Sequence, residues 1–447
     1  MATRVILVRH GISGYNLQRR VQGHCDDSTL SDQGRETARL VGLALQGLPL
    51  DAVYSSPLQR ARETADIILK TVGQPELLQT TDLLKEINLV QWEGMAFDEV
   101  ERQFPEDYLA WRDRPHQLKM QMLRPDGSSV EYYPVLALFD QAREFWKMVL
   151  PQSEGKTILV VAHSGINRAL ISTAVGLSPE RYHSIYQTNC GISVLNFAAA
   201  LGDPVQIESM NVTAPINLPL PKLPEKMNGP RLLLVRHGET QWNREKRFQG
   251  QIDVPLNEQG RVQAEKAEFF LREIRIDRAV SSPMARPKET AEIILRSHPH
   301  VTLELDERLV EIAHGLWEGK LEEEIAAEFG AELAAWKQSP ETVQMPEGEN
   351  LQQVWQRAIA AWEAIVASAP SDRPSTILVV AHDAINKAIL CYLAGFGPEQ
   401  FWVFKQGNGA VSVIDYPKGA GTKPIIQALN ITTHLGGVLD KTAAGAL

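Results

Sequence analysis

Apolar residues in this chain fall into short unbroken runs. Val5 to Val8, Ala52 to Tyr54 and Ile158 to Ala162 are apolar at every position. Continuous rather than alternating apolarity marks strands covered on both faces, as in parallel sheets. Between the runs the period changes to that of a helix. Ser31 stands as an N-cap ahead of Ala38, Val41 and Leu45, and Asn257 stands in the same way ahead of Ala264, Ala267 and Leu271. A capping residue before apolar positions spaced three and four apart predicts a helix with one apolar stripe. Strand alternating with helix predicts an α/β fold, a mostly parallel sheet with helices on both faces.

The pattern is written twice. Val5 to Val8 leads into Arg9-His10-Gly11 and then Asn16, while Leu232 to Val235 leads into Arg236-His237-Gly238 and then Asn243. The run Ser55-Ser56-Pro57, with Arg60 and Thr64 after it, recurs as Ser281-Ser282-Pro283 with Arg286 and Thr290. Glu86 ahead of Trp92-Glu93-Gly94 recurs as Glu311 ahead of Trp317-Glu318-Gly319. Ala162-His163 recurs as Ala381-His382, and Asn189 as Asn408. A period this long means two copies of a whole domain rather than a solenoid. The expected division is a first domain over 1–213, a proline-rich connector over 214–230, a second domain over 231–440 and a tail over 441–447. Five prolines in the connector block both helix and central strand, which predicts an extended, semi-rigid link.

Composition narrows the function classes. A net charge of −10 argues against a nucleic-acid surface. No apolar stretch reaches the length of a membrane span, and with the first strand beginning almost at Met1 no targeting peptide is expected. Cys25, Cys190 and Cys391 are too few and too scattered for a disulfide framework or metal spacing, and Cys190 reads as a core residue. The expectation is a cytoplasmic protein that acts on a small molecule, with no membrane or nucleic-acid partner. Its oligomeric state is left open.

In open α/β sheets ligands bind beyond the carboxyl ends of the strands. Arg9-His10, Ser55-Ser56 and His163 each stand where an apolar run ends, so they would meet in one crevice, and the second copy repeats the placement. Histidines and arginines without an Asp or Cys cluster suit an anion better than a metal, so no cofactor or metal is expected. Guanidinium groups match phosphate oxygens bidentately. A histidine held neutral at one nitrogen can attack phosphorus, and a carboxyl group must then serve the leaving oxygen and later water. Glu86 and Glu311 occupy loops suited to that task. Trp92 and Trp317 read as packing residues, and Arg20 and Arg247 as either pocket or surface.

With these motifs in the same order twice, both halves resemble the histidine phosphatase, or phosphoglycerate mutase-like, superfamily. The resemblance implies that His10 is a nucleophile that becomes phosphorylated. It implies that Arg9, Arg60, His163 and Asn16 bind the phosphate and that Glu86 donates the proton. In the second copy it implies His237 as nucleophile, Arg236, Arg286, His382 and Asn243 as the pocket, and Glu311 as the acid. The tandem layout and the stretch from Gln187 to Leu195 are similar to plant-type phosphatases of 2-carboxy-D-arabinitol 1-phosphate. The expected activity is hydrolysis of a small sugar or sugar-acid phosphate. A phosphoglycerate mutase or α-ribazole phosphatase is the alternative within the class, and a regulatory protein with one or both sites inactive is the alternative outside it. The copies diverge at Ile12 against Glu239, Ser164-Gly165 against Asp383-Ala384, and Asp126-Gly127-Ser128 against Glu347-Gly348-Glu349. Added carboxylates in the second copy predict that the first site prefers the more acidic ester.

Overall fold

The computed structural model describes residues 2–123, 126–224, 227–370 and 373–442. The chain divides into two compact units, Met1–Leu218 and Pro219–Leu447. The division falls inside the proline-rich stretch. There Ala214–Ile216 forms a 3-10 turn, and Arg231 donates to the Pro221 carbonyl (2.7 Å), tying the later part of the stretch to the second unit. Residues 225 and 226 of the expected connector and 443–447 of the expected tail lie outside the described residues.

Among its described residues the first unit holds eight strands: β1 (Thr3–Arg9), β2 (Ala52–Ser55), β3 (Leu78–Thr80), β4 (Met120–Leu123), β5 (Ser129–Tyr132), β6 (Thr157–Ala162), β7 (Ile192–Phe197) and β8 (Val205–Val212). Six of them form one sheet in the order β3-β2-β6-β1-β7-β8, while β4 and β5 pair as a separate hairpin. Strands β3, β2, β6 and β1 are mutually parallel, and β7 runs antiparallel to β1 and β8. Five of the six therefore share one direction. Val5 to Val8 and Ile158 to Ala162 are fully buried, as strands covered on both faces must be. Helices Asp32–Ala44 and Gln59–Val72 pack as one pair, and Pro134–Val149 with Ser164–Val175 as another.

The second unit repeats this with β9 (Pro230–Arg236), β10 (Arg278–Ser281), β11 (Leu303–Leu305), β12 (Ser375–Ala381), β13 (Val411–Asp415) and β14 (Ile425–Ile431), in the order β11-β10-β12-β9-β13-β14. Again only β13 opposes its neighbours. The two capping residues act as expected: Ser31 Oγ accepts from Gly34 N (3.0 Å), and Asn257 Oδ1 accepts from Gly260 N (2.8 Å).

Two registers decide where the chemistry gathers. Arg9 on β1 pairs with Ala162 on β6, and Arg236 on β9 pairs with Ala381 on β12. The next residue on each strand is a histidine, so parallel pairing sets His10 beside His163 and His237 beside His382. A second contact holds the loop after β1 and β9. A Cβ on Gly34 would land on the Ile12 carbonyl oxygen, and one on Gly260 would land on that of Glu239. The start of each following helix thus packs directly on the Arg-His-Gly turn, where only hydrogen fits. Gly34→Ala and Gly260→Ala should each destabilise their own unit by about 1–3 kcal/mol, the usual cost of overpacking. Urea unfolding of each variant, followed transition by transition, checks this; a loss below a few tenths of a kcal/mol would show that the turn yields.

Candidate active site

Each site is built from strand ends and the helix turns that follow them. The rings of His10 and His163 lie 5.1 Å apart at 63°, and those of His237 and His382 lie 5.2 Å apart at 67°. His10 Nδ1 lies 2.7 Å from the Gly11 carbonyl oxygen, and His237 Nδ1 lies 2.6 Å from that of Gly238. A carbonyl only accepts, so Nδ1 carries the proton and Nε2 keeps its lone pair. Burial, reinforced by the neighbouring arginine charges, holds all four imidazoles far below their usual pKa. They are neutral at physiological pH. Both ring nitrogens of His163 are buried without a partner, whereas His382 Nε2 meets Ser282 Oγ at 2.9 Å.

Arg60, Arg236 and Arg286 are buried, Arg9 is half-buried, and all four are oriented by backbone. Arg9 Nη1 donates to Gln187 O (2.8 Å) and Arg236 Nη1 to Gln406 O (2.6 Å). Arg60 donates to the carbonyls of Cys25 (3.0 Å) and Gly23 (2.9 Å), and Arg286 to those of Ile252 (3.3 Å) and Gly250 (2.7 Å). Burial lowers the pKa of Arg9 and Arg60 and brings Arg286 down to about 10. Nε of Arg9, Arg60 and Arg236 is buried with no partner. Asn16 Oδ1 accepts from Ser13 N (3.1 Å) and Asn189 Nδ2 (3.1 Å); Asn243 Oδ1 accepts from Thr240 N (3.1 Å) and Asn408 Nδ2 (3.2 Å).

The buried Glu86 carboxylate accepts from the backbone N–H groups of Ile87 (2.8 Å), Gly165 (3.0 Å) and Ile166 (3.1 Å). It therefore caps the helix that follows His163. Glu311 accepts from Ile312 (3.0 Å) and, at 3.5 Å, from Ala384. Burial, and after it the charge of Asp383, pushes its pKa up to about 6. All twelve residues singled out from the sequence thus lie at these two strand-end clusters, six in each.

Other residues shape the clusters. Thr64 and Thr290 accept from the glycine N–H of Arg-His-Gly (3.0 and 3.1 Å) and donate to the carbonyls of Arg60 and Arg286 (both 2.7 Å). Asn189 and Asn408 donate to the His10 and His237 carbonyls (2.9 and 3.3 Å). Recurrence of these four letters in both copies was the signal for them. Trp92 and Trp317 are buried packing residues, while Arg20 and Arg247 bind the carbonyls of Gly94 and Gly319. Cys190 is core, its thiol pushed up to about 12 by burial.

Of the rim divergences, only one stands against the clustered arginines. Glu239 is spent on Arg244 (2.8 Å), and Glu349 on Arg357 (2.8 Å). The Asp126–Ser128 turn is exposed and hydrogen-bonded within itself. Asp383, by contrast, lies 3.7 Å from Arg236. Among the described residues no group of three or more His, Cys, Asp or Glu side chains is arranged to hold a metal, and no helix is long and apolar enough to cross a membrane.

Residues 5–211 and 232–431 each match the histidine phosphatase superfamily (branch 1). The chain belongs to that superfamily. It is 31% identical to 2-carboxy-D-arabinitol-1-phosphatase of Triticum aestivum, over 97% of this chain and 87% of that protein. A probable 2-carboxy-D-arabinitol-1-phosphatase of Arabidopsis thaliana is 29% identical over 97% of this chain and 88% of its own length. Phosphoserine phosphatase 1 of Hydrogenobacter thermophilus is 33% identical over 46% of this chain and 94% of its own. Membership of this superfamily makes the chain a phosphoric monoester hydrolase with two phosphatase domains in tandem.

The raised Glu311 pKa has a direction that can be checked. Folding favours the neutral acid, so its contribution to stability is full below the ordinary pKa of 4.5 and is lost as pH rises through about 6. Removing the neighbouring charge with Asp383→Asn should lower the Glu311 titration midpoint. Carboxyl-detected NMR of the full chain, assigned with Glu311→Gln, measures it; an unmoved midpoint would mean that Asp383 does not act on Glu311.

Proposed function

We propose that the chain hydrolyses a small sugar or sugar-acid phosphate through a phosphohistidine intermediate, with both units competent. One observation carries the reading: in each unit a neutral histidine has Nδ1–H committed to a carbonyl and Nε2 free, beside buried guanidiniums held by backbone oxygens. The near full-length match to relatives named 2-carboxy-D-arabinitol-1-phosphatase supports the sugar-acid class.

In the first unit Arg9, Arg60, His163 and Asn16 surround the phosphoryl oxygens. Nε2 of His10 attacks phosphorus in line. As the N–P bond forms, the P–O bond to the sugar breaks, and the carboxyl group of Glu86 delivers a proton to the departing oxygen. The carboxylate so formed takes a proton from water, which attacks the phosphohistidine and frees His10 and inorganic phosphate. Fixed donors around the transferring group provide most of the rate, because they need no reorganisation as charge moves. In the second unit His237, Glu311, Arg236, Arg286, His382 and Asn243 take the same parts.

The test is turnover of 4-nitrophenyl phosphate by the full chain. His10→Ala with His237→Ala should reduce kcat/KM by about a thousandfold or more, as expected for loss of a nucleophile, while each single variant keeps the activity of the other unit. Substantial turnover by the double variant would overturn the mechanism.

A further inference from the structure

The two units differ by one charge at the start of the helix that follows the second histidine. In the second unit Asp383 lies between two cations. Its Oδ1 is 3.7 Å from Arg236 Nη1, and its Oδ2 is 2.7 Å from Lys387 Nζ. Lys387 is itself buried, 4.5 Å from the Trp402 ring and 5.1 Å from the Phe401 ring. In the first unit Arg9 and Arg168 keep the two cationic positions, but Ser164 replaces the acid.

The first-unit cations are held without being neutralised. Arg9 bonds a backbone carbonyl. Arg168 Nη1 donates to His183 Nδ1 (3.1 Å), whose Nε2–H in turn donates to Trp111 O (2.9 Å). That chain fixes His183 in its neutral form, and burial followed by the Arg168 charge lowers its pKa to about 3. The Arg168 guanidinium lies 5.6 Å from the rings of both Tyr182 and Tyr186. Nε of Arg9 and of Arg168 is buried with no partner, and among the described residues neither arginine forms an ion pair. Tyr182 and His183 correspond to Phe401 and Trp402 of the second unit, so the polar lining is specific to the first.

We propose that the gap between Arg9 and Arg168 receives a carboxylate of the substrate, in the place that Asp383 fills in the second unit. The first site then takes phosphate esters whose leaving group carries a carboxylate. The second site, with its own carboxylate installed, rejects such esters by like charge and takes those without one. This rests on the phosphatase reading above and adds a leaving-group class for each site. A guanidinium with free N–H donors binds a carboxylate far better than a hydroxyl, and a site built for one loses affinity steeply when it is missing.

The experiment uses the full chain and a matched pair, 3-phosphoglycerate and glycerol 3-phosphate, which differ by a carboxylate against a hydroxymethyl. With His237→Ala leaving only the first site, the kcat/KM ratio should favour 3-phosphoglycerate by about tenfold or more. Adding Ser164→Asp should bring that ratio to one or below. Arg168→Gln should raise KM for 3-phosphoglycerate with little change for glycerol 3-phosphate, and Arg168→Lys should restore part of the preference, whereas a purely structural role would affect both esters alike. With His10→Ala leaving only the second site, Asp383→Ser should raise the ratio. Equal ratios at the two sites, or a ratio that Ser164→Asp leaves unmoved, would overturn the proposal. Should neither ester turn over, the phosphatase reading is at fault, and calorimetry of the same pair on the His10→Ala, His237→Ala protein decides the gap separately. Tighter binding of 3-phosphoglycerate, abolished by Ser164→Asp, supports it; equal binding overturns it.

Discussion

Everything at these sites depends on keeping a guanidinium charged and out of water without cancelling its charge. Moving an ion from water into a protein interior costs several kcal/mol, and the common remedy is an acidic partner. In the first unit backbone carbonyls take that place, Gln187 for Arg9 and Gly23 and Cys25 for Arg60; in the second unit they hold Arg286 in the same way, while Arg236 has Asp383 beside its carbonyl. A carbonyl oxygen orients a guanidinium and satisfies part of its donors but leaves its net charge intact. The nearest carboxylate to Arg60, Asp26, stands 3.9 Å away and is partly exposed. The remaining field favours an anion, and it adds to burial in holding the histidines neutral and therefore nucleophilic.

The sheet makes this arrangement affordable. Parallel registers between β1 and β6, and between β9 and β12, bring both histidines of a unit to one edge. Continuous burial of these strands fixes the edge in place. The helix after the second histidine then supplies backbone N–H groups to the glutamate, so the acid is seated by the same element that carries the histidine. One substitution at the first residue of that helix, Ser164 against Asp383, changes the charge at the arginine without touching the shared chemistry.

Much of this was legible in the sequence. Unbroken apolar runs such as Val5 to Val8 locate the central strands because burial on both faces tolerates no polar alternation, and Ser31 and Asn257 declare the helix starts. The residues that gather at the two clusters were legible as a group because the chain writes each of them twice, the histidines at strand ends. Other features have no letter to read. The carbonyls that hold Arg9 and Arg236 belong to backbone, so Gln187 and Gln406 give no side-chain signal. The β4–β5 hairpin is short and half exposed, and β3 and β11 span three residues each, too few to establish a period. Nor does sequence alone separate Glu239, occupied by Arg244, from Asp383, which reaches Arg236; that distinction is purely one of distance.

The central claim is that the neutral Nε2 of His10 and of His237 accepts the phosphoryl group. It is tested most directly by trapping. The full chain, mixed with a ³²P-labelled ester and quenched in alkali within its first turnovers, should carry acid-labile, alkali-stable label. Mass spectrometry of its peptides should place that label on His10 and His237. Label on a serine, threonine or carboxylate, or steady turnover with no protein-bound phosphate on either histidine, would contradict the account.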